Sequence, residues 1–310
     1  MLGDNTRRDI VIVGAGPAGL TAAMYCSRMG RRVLVVDKAA AGGKAASTDL
    51  IENYPGFPQG ITGADLMQRM RDQAFRWDAE FQNWEVTNVR QVPEGFRLSG
   101  KTSAMTCRAV IWCAGTRERR LGVRGEERLT GRGVSYCATC DGPLYRGRRV
   151  AVIGGGDSAI AGALFLSRLA TKVWVVHRRQ QLRATKVLQE RARQCDNLEI
   201  VWNSVVTEIV GEDRVRAIAL KNLETGHSQL LEVDGVFVYI GSVPNTEPLR
   251  GVARLDEGGY VVTNETLETS CPGLFAAGDV RRTPLRQVVT AVGDGAIAAM
   301  SAEHFLASQE

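Results

Sequence analysis

Long apolar runs are missing from this sequence. No segment approaches the roughly 18 consecutive apolar residues that a membrane span requires. Residues 1–9 also lack the apolar core of a secretory signal. The seven cysteines are an odd number in a chain without targeting signals, which indicates a reducing, cytoplasmic setting. We therefore expect a cytoplasmic protein that has no membrane partner.

Histidines and massed positive charges are also scarce. The chain has only three histidines, none of them at ligand spacing, so it lacks the second set of ligands that a structural zinc site needs. Its net charge of +5 is modest and its basic residues are scattered, which argues against nucleic acid as the main partner. At 310 residues the chain exceeds the usual size of one core, so two domains are expected.

One pair of cysteines, Cys137 and Cys140, forms a CxxC motif that Asp141 follows directly. A two-residue gap lets both sulfurs meet in one turn, so the pair can cycle between dithiol and disulfide. Asp141 lies where it could transfer the proton that each cycle moves. On this motif alone three interpretations stay open: a redox pair, half of a metal site, and two incidental cysteines.

The first clear pattern in the chain is a βαβ unit. Residues 10–13 predict a buried strand and residues 20–28 a helix. A second strand, residues 33–36, ends at Asp37. The glycine-rich loop of residues 14–19 permits a tight turn and close approach of the backbone to a pyrophosphate at the helix N-terminus. Asp37 can accept hydrogen bonds from an adenosine ribose, so the unit predicts a dinucleotide site.

The same unit recurs 140 positions further along, where Gly154 repeats Gly14. A strand, a glycine-rich loop over residues 154–159, a helix and a second strand follow in the same order. Because the repeat is in register, the chain is predicted to carry two dinucleotide folds that are built alike.

The two units differ at the position that contacts the ribose. Asp37 favours a free 2′-hydroxyl, as in FAD or NAD. The second unit has a cationic cluster there, formed by His177, Arg178, Arg179 and Arg183. Such a cluster suits a 2′-phosphate, because the planar fork of arginine matches phosphate oxygens. We therefore expect FAD in the first unit and NADPH in the second; the alternative for the cluster is a solvated basic helix start.

Two stretches, residues 116–132 and 241–248, are rich in Gly, Arg or Pro and predict crossings between domains. If both are linkers, the second dinucleotide domain is inserted into the first. The expected fold class is α/β, with two Rossmann-like three-layer domains. Residues 1–116 and 246–310 would form the FAD-binding domain, and residues 117–245 the NADPH-binding domain that carries the CxxC.

Further motifs match one family over nearly the whole chain. Besides the CxxC and the two glycine-rich loops, they are Gly42-Gly43, residues 52–57, Cys113-Ala114-Gly115, the cationic cluster, Gly278-Asp279-Val280 and Arg286-Gln287. The chain thus resembles the low-molecular-weight thioredoxin reductases, which are small flavoprotein pyridine nucleotide–disulfide oxidoreductases.

The resemblance implies a homodimer of two-domain subunits with one FAD each. NADPH would reduce the flavin, the flavin would reduce the CxxC disulfide, and the dithiol would reduce thioredoxin or a thioredoxin-like protein. By position, Cys140 would lie against the flavin, Cys137 would attack the partner disulfide, and Asp141 would serve as acid and base. The NADPH domain would swing on its two linkers between two arrangements.

Pattern and resemblance together assign the cofactor-binding residues, with no metal ligand among them. The residues expected to bind FAD are Gly14, Gly16, Pro17, Ala18, Gly19, Asp37, Lys38, Gly42, Gly43, Lys44, Asn53, Cys113, Ala114, Gly115, Gly278, Asp279, Arg286 and Gln287. Those expected to bind NADPH are Gly155, Gly156, Asp157, Ser158, His177, Arg178, Arg179 and Arg183.

The chain departs from the family pattern at two places. Lys44 lies where Gln is usual, which adds a cation near the flavin, and Ala161-Gly162 replace a pair of acids near the expected nicotinamide end. Relatives that take electrons from ferredoxin usually lack the cationic cluster, and this chain keeps it. NADPH is therefore the expected donor. The alternatives are the same flavin–dithiol reductase fed by ferredoxin or another donor, and a non-catalytic dinucleotide-binding sensor.

Overall fold

The structure is a computed structural model that describes residues 8–310. The N-terminal stretch in which no secretory signal is expected lies almost wholly outside the described residues. The strands are β1 Arg8–Val13, β2 Val33–Asp37, β3 Glu80–Asn83, β4 Asn88–Val92, β5 Gly95–Ser99, β6 Ala104–Trp112, β7 Thr116–Glu118, β8 Val134–Ser135, β9 Arg149–Gly154, β10 Lys172–Val176, β11 Leu198–Val201, β12 Ser204–Gly211, β13 Val215–Asn222, β14 Ser228–Glu232, β15 Gly235–Tyr239, β16 Ser242–Pro244 and β17 Leu274–Ala276.

Seven α-helices accompany these strands in the described part of the chain. They are α1 Pro17–Arg28, α2 Gly63–Phe75, α3 Glu126–Leu129, α4 Ala138–Asp141, α5 Asp157–Ser167, α6 Lys186–Arg193 and α7 Val288–Ala307. None of the helices within residues 8–310 is long and apolar enough to span a membrane.

The chain divides into two compact units, and the division is discontinuous in sequence. The first unit runs to Arg117 and resumes at Val243, while the second comprises residues 118–242. The second unit is therefore an insertion in the first. Residues 118–132 are part of the second unit rather than a free linker, since Glu126 and Leu129 of α3 are buried.

The first unit is built on a seven-stranded sheet in the order β3-β2-β1-β6-β5-β4, with β17 beside β6. The strands β1, β2, β3, β6 and β17 are parallel, whereas β4 and β5 form an antiparallel hairpin at one edge. Both faces of β1 are buried, because Ile10 and Ile12 pack into one apolar cluster and Val11 and Val13 into another. This explains why β1 is a continuous apolar run rather than an alternating one.

The second unit repeats this architecture on a smaller scale. Its five-stranded parallel sheet has the order β11-β10-β9-β15-β8, and β12, β13 and β14 form a separate antiparallel sheet. Apolar clusters lie on both faces of the parallel sheet. The predicted α/β class and the predicted duplication are confirmed: β1, α1 and β2 correspond to β9, α5 and β10. The antiparallel sheet was not predicted.

Candidate active site

The CxxC motif forms a closed turn in the second unit. Cys137 and Cys140 are joined by a disulfide with their Cα atoms 5.3 Å apart. Cys137 precedes α4, and its Sγ accepts a hydrogen bond from the Cys140 N–H at 3.2 Å. Asp141 is the last residue of α4 and is partly exposed. The structure thus joins the two cysteines that the sequence pairs and leaves an accessible carboxylate beside them.

Ser135 fixes the backbone at the start of this turn. Its Oγ accepts a hydrogen bond from the Cys137 N–H at 3.0 Å and donates one to the Cys137 carbonyl at 3.2 Å. Ser135 ends β8 in the parallel sheet and is buried. The turn is therefore held from the sheet by a short side chain that sequence reasoning did not single out.

Tyr136 connects the same turn to a buried carboxylate. Its hydroxyl donates to Oε1 of Glu126 at 2.8 Å, and Glu126 also accepts from the N–H groups of Leu121 and Gly122 at 2.8 and 2.7 Å. Burial and the nearby Glu126 raise the pKa of Tyr136 to about 12, so the hydroxyl stays protonated and keeps donating. Sequence reasoning also missed Glu126, because its partners lie in a stretch that has no periodic pattern.

The first glycine-rich loop has no room for side chains at its start. Gly14 has φ +108°, and a Cβ there would lie 2.2 Å from the Cys113 carbonyl oxygen at the end of β6. No side chain caps α1, which begins after Gly16, so its first amide groups remain available to a phosphate. The Cα of Gly43 faces Gly16, since a Cβ on Gly43 would lie 3.0 Å from the Gly16 Cα. This bare backbone fits a pyrophosphate.

Asp37 stabilises the same loop. One carboxylate oxygen accepts from the Ala15 N–H at 2.7 Å and the other from the Ala39 N–H at 2.9 Å. Each oxygen keeps a second acceptor site, which a ribose hydroxyl could use. Lys38, the next residue, is exposed.

Residues from distant parts of the chain meet beside this loop. Asn53 donates to the Gln287 side chain at 3.0 Å, and Lys44 Nζ lies 3.4 Å from the Thr116 hydroxyl. Burial raises the pKa of the Asp279 carboxyl, while the charges of Arg286 and Lys44 lower it. The first unit thus gathers the segments that the family resemblance assigned to FAD.

The Gly278-Asp279 turn depends on a partly buried ion pair that the sequence did not reveal. Asp294 of α7 accepts from the Gly278 N–H at 3.0 Å and pairs with both Nε and Nη2 of Arg281, at 2.7 and 2.8 Å. Gly278 has φ +79°, and a Cβ there would lie 3.0 Å from the Ala18 Cβ in the first turn of α1. Asp294 therefore holds the turn against the glycine-rich loop.

Asn245 fixes the Ala114-Gly115 turn after β6. Its side-chain amide donates to the Ala114 carbonyl at 2.7 Å, and its backbone N–H donates to the Gly115 carbonyl at 3.0 Å. The Trp112 ring N–H donates to the Asn245 carbonyl at 2.9 Å. Cys113, also assigned to FAD, is buried, and burial raises the pKa of its thiol. Cys113 therefore packs beside the first glycine-rich loop.

The second glycine-rich loop is shaped in the same way. Gly156 precedes α5, which no side chain caps, so its first amides are available. Asp157 accepts from the Thr185 N–H at 2.7 Å, and Gly155 accepts from the Arg183 N–H at 2.7 Å. Ser158 is exposed in the first turn of α5. The loop that carries the cationic cluster is thereby bound to the loop that would hold phosphates.

His177 differs from the arginines that follow it. The residue is only 5% exposed, and a Cβ on Gly155 would lie 2.4 Å from its ring. Its Nε2 pairs with the Gln181 carbonyl at 3.0 Å. Burial lowers the pKa of His177, which favours the neutral form of the ring. The ring lies under the second glycine-rich loop and supports it, so the charges available to the expected 2′-phosphate are those of the three arginines.

The three arginines of the cluster are exposed. Within residues 8–310 the guanidinium groups of Arg178, Arg179 and Arg183 form no ion pair or hydrogen bond, although each raises the positive potential around His177. Three unpaired cations on one loop repel one another, and an anion bound there would relieve this repulsion. No group of three or more His, Cys, Asp or Glu among the described residues could hold a metal ion.

Comparison with known proteins agrees with this arrangement. The pyridine nucleotide-disulphide oxidoreductase family matches residues 8–295. The thioredoxin reductase of Listeria innocua is 42% identical over 96% of this chain and 93% of its own length. The chain belongs to the low-molecular-weight thioredoxin reductases of this family. The predicted enzyme class, a flavin-dependent thioredoxin-disulfide reductase, is confirmed, and so is the redox interpretation of the CxxC.

Solved thioredoxin reductases share the fold. The Lactococcus lactis enzyme is 37% identical, with a TM-score of 0.95 over 97% of this chain and 99% of that one. A ferredoxin-flavin thioredoxin reductase from Clostridium acetobutylicum is 32% identical, with a TM-score of 0.53 over 97% of this chain and 99% of that one. The predicted nesting of two dinucleotide folds is confirmed. Family membership implies FAD and NAD(P)H as cofactors and thioredoxin as substrate.

Proposed function

We propose that this chain passes electrons from NADPH, through FAD and the Cys137–Cys140 pair, to the disulfide of a thioredoxin-like protein. The observation that carries the proposal is the closed CxxC disulfide in a unit that also has an uncapped glycine-rich loop and three unpaired arginines. The pair can accept electrons, and the same unit can bind a phosphorylated dinucleotide. When bound, FAD and NADPH supply the two electrons that open the disulfide to a dithiol.

FAD would be held by the first unit, residues 8–117 and 243–310. Its pyrophosphate fits the bare backbone at Gly14, Gly16 and Gly43, and its ribose fits the remaining acceptor sites of Asp37. The charges of Arg286 and Lys44 act on Asp279, which belongs to the turn that Asp294 fixes. We assign NADPH to the second unit, with its 2′-phosphate on Arg178, Arg179 and Arg183.

The two thiols divide the exchange with the partner between them. The Cys137 thiolate attacks one sulfur of the partner disulfide, which forms a mixed disulfide and releases the other sulfur as a thiolate that takes up a proton. Cys140 then attacks the Cys137 sulfur, so the partner leaves as a dithiol and the Cys137–Cys140 disulfide closes again. Asp141, directly after Cys140 and partly exposed, holds and returns the proton.

An exposed apolar side chain close to the CxxC supports a protein partner. Leu144 lies four residues after Cys140 and is 74% exposed. A thiol exchange with a protein disulfide needs a surface that excludes water around the sulfurs, and an apolar side chain provides one. A small disulfide would not need this contact.

A homodimer is supported by the outer face of α7. Val289, Ile297 and Met300 are exposed along this helix at a spacing that places them on one side, while the opposite side packs on α1 around Gly295. An apolar stripe of this kind suits a second copy of the same helix. Sedimentation should give twice the 33.7 kDa mass of the chain, and a monomer at micromolar concentration would contradict the proposal.

A reducing, cytoplasmic location is also proposed. The five cysteines other than Cys137 and Cys140 are unpaired thiols in the described chain, and four of them are buried. Free buried thiols suit a compartment that keeps cysteines reduced.

A multiple-turnover assay with two candidate electron donors tests which of them the protein uses. The holoprotein is mixed with oxidised thioredoxin and either NADPH or reduced ferredoxin, and new thiols are counted. Thiols released with NADPH would support the proposal. Release with ferredoxin alone would reject NADPH and favour the second candidate, to which the replacement of two acids by Ala161-Gly162 and the likeness to the Clostridium acetobutylicum enzyme both point.

A further inference from the structure

Tyr239 connects the parallel sheet of the second unit to the CxxC turn. It ends β15, and its hydroxyl accepts a hydrogen bond from the Ala138 N–H at 2.7 Å. Ala138 lies between the two cysteines and is buried. A residue 101 positions away in sequence therefore contacts the backbone of the motif directly.

The internal repeat identifies the residue of the first unit that corresponds to Tyr239. A Cβ on Gly14 would meet the Cys113 carbonyl at 2.2 Å, and a Cβ on Gly154 would meet the Tyr239 carbonyl at 2.3 Å. Cys113 and Tyr239 thus occupy equivalent places at the ends of the strands beside the two loops. The first unit has a small buried thiol there, whereas the second has a long ring with a polar tip.

Gly162 provides the space for this ring. A Cβ on Gly162 would lie 3.0 Å from Cε2 of Tyr239 and 3.2 Å from both its Cζ and its hydroxyl oxygen. Any larger residue would press on the ring at the end that carries the hydroxyl. The acid that the family commonly has at this position would require the Tyr239 ring to move by a few tenths of an ångström from where it lies here.

The hydroxyl provides an acceptor that the short helix lacks. The Ala138 N–H belongs to the first turn of α4, where helical amides have no partner within the helix. Within residues 8–310 its hydrogen-bond acceptor is the Tyr239 oxygen. A buried amide without a partner is costly, so this contact stabilises the turn. Burial raises the pKa of Tyr239, so the hydroxyl stays neutral.

We propose that Tyr239 is a positioning residue that stabilises the closed form of the CxxC, with Gly162 as the residue that admits its ring. The proposal deepens the proposed function and rests on it. In the disulfide form the cross-link fixes the turn, so the Ala138 N–H depends on Tyr239 for its hydrogen bond. In the dithiol form the turn can relax and expose the amide to water. Loss of the Tyr239 hydroxyl should therefore destabilise the disulfide form of the CxxC more than the dithiol form.

The test is the equilibrium of the holoprotein with dithiothreitol. Dithiothreitol gives two electrons and two protons to Cys137–Cys140 as its own thiols close to a disulfide, and the fraction of each form is read by thiol trapping and mass measurement. Tyr239→Phe should shift the equilibrium constant about fivefold toward the dithiol, or about 20 mV for a two-electron couple. A constant within about twofold of the parent's would overturn the proposal.

Tyr145→Phe is the matched control. Tyr145 lies close to the CxxC in the same unit, but its hydroxyl forms no hydrogen bond with the described residues, so its removal should leave the constant within about twofold of the parent's. A shift in Tyr145→Phe as large as that in Tyr239→Phe would assign the effect to any lost hydroxyl and would contradict the proposal.

Gly162→Ala provides a second, independent test of the role of Tyr239. In a helix interior this change ordinarily raises stability, because alanine is the better helix former. Here it should displace the ring and shift the constant toward the dithiol at least about twofold, and it should add nothing in a Tyr239→Phe background. A constant equal to the parent's, or a full additional shift in the double variant, would count against the proposal.

The measurement separates this inference from the function on which it rests. It uses neither NADPH nor thioredoxin. A parent protein that failed to reduce thioredoxin would refute the proposed function, while the dithiothreitol equilibrium would still decide the role of Tyr239.

Discussion

The backbone N–H of Cys140 donates a hydrogen bond to the sulfur of Cys137 at 3.2 Å. Because Cys137 begins the helical turn, its sulfur faces the amide of the other cysteine. A donor in this place also favours negative charge on the Cys137 sulfur once the disulfide opens. This geometry agrees with the assignment of Cys137 as the attacking thiol and Cys140 as the thiol that resolves the mixed disulfide.

Replacement of the resolving thiol tests that assignment. Cys140→Ser should lower thioredoxin reduction by about a thousandfold or more, because Cys137 alone cannot release the partner from a mixed disulfide. Flavin reduction by NADPH should persist in the same variant. Cys195→Ser, which alters a half-buried free thiol elsewhere in the unit, should keep the parent rate. Parental turnover in Cys140→Ser would refute the assignment.

The arginine cluster should discriminate between the two pyridine nucleotides. Arg178→Ala combined with Arg179→Ala should raise the KM for NADPH about a hundredfold or more, because each lost charge-assisted hydrogen bond is worth about 1.5–3 kcal/mol, and should leave the KM for NADH within about twofold. The control is Arg214→Ala with Arg216→Ala, an exposed pair on β13 and its preceding turn that changes the net charge equally. Equal effects on both nucleotides would dismiss the 2′-phosphate role.

The partly buried pair Arg281–Asp294 should support both stability and flavin retention. Asp294→Asn leaves the partly buried Arg281 charge without its carboxylate partner, so the free energy of unfolding should fall by about 2 kcal/mol, and FAD should dissociate more readily. The measurements are urea unfolding and the flavin content after dialysis. Glu80→Gln, which breaks the more exposed pair with Arg8, should cost less than about 1 kcal/mol. Similar losses in both variants would contradict the role of Asp294.

Because of His177, the stability of the folded protein should fall as the pH falls. Because burial lowers its pKa in the folded protein, the folded state binds this proton less readily than the unfolded chain does. The contribution of His177 to stability is therefore complete above the unfolded value, about 6.5, and is lost as the pH falls through that range. When the pH is lowered from 7.5 to 5.5, the thermal midpoint of the parent should fall by more than that of His177→Asn. The thermal midpoint of His227→Asn should fall as much as that of the parent. Equal pH dependence of the midpoint in all three proteins would rule out a contribution from His177.

The local parts of this fold could be predicted from the sequence, whereas the long-range contacts could not. Both βαβ units follow from short β-branched runs beside glycine-rich loops, since these signals lie within about 30 residues. The contacts Tyr136–Glu126 and Tyr239–Ala138 have no local pattern, because burial creates the need for each hydrogen bond. From the sequence, His177 is predicted to be one of four cations in the cluster. In the structure the residue is buried beside the sheet.

Anaerobic titration of the flavin tests the whole electron path from NADPH to thioredoxin in one experiment. NADPH is added to the oxidised holoprotein without oxygen while the flavin absorbance is followed, and oxidised thioredoxin is added afterwards. NADPH should bleach the flavin, and thioredoxin should restore its colour in the parent but not in Cys140→Ser. Absence of bleaching by NADPH, with bleaching by dithionite intact, would contradict this electron path.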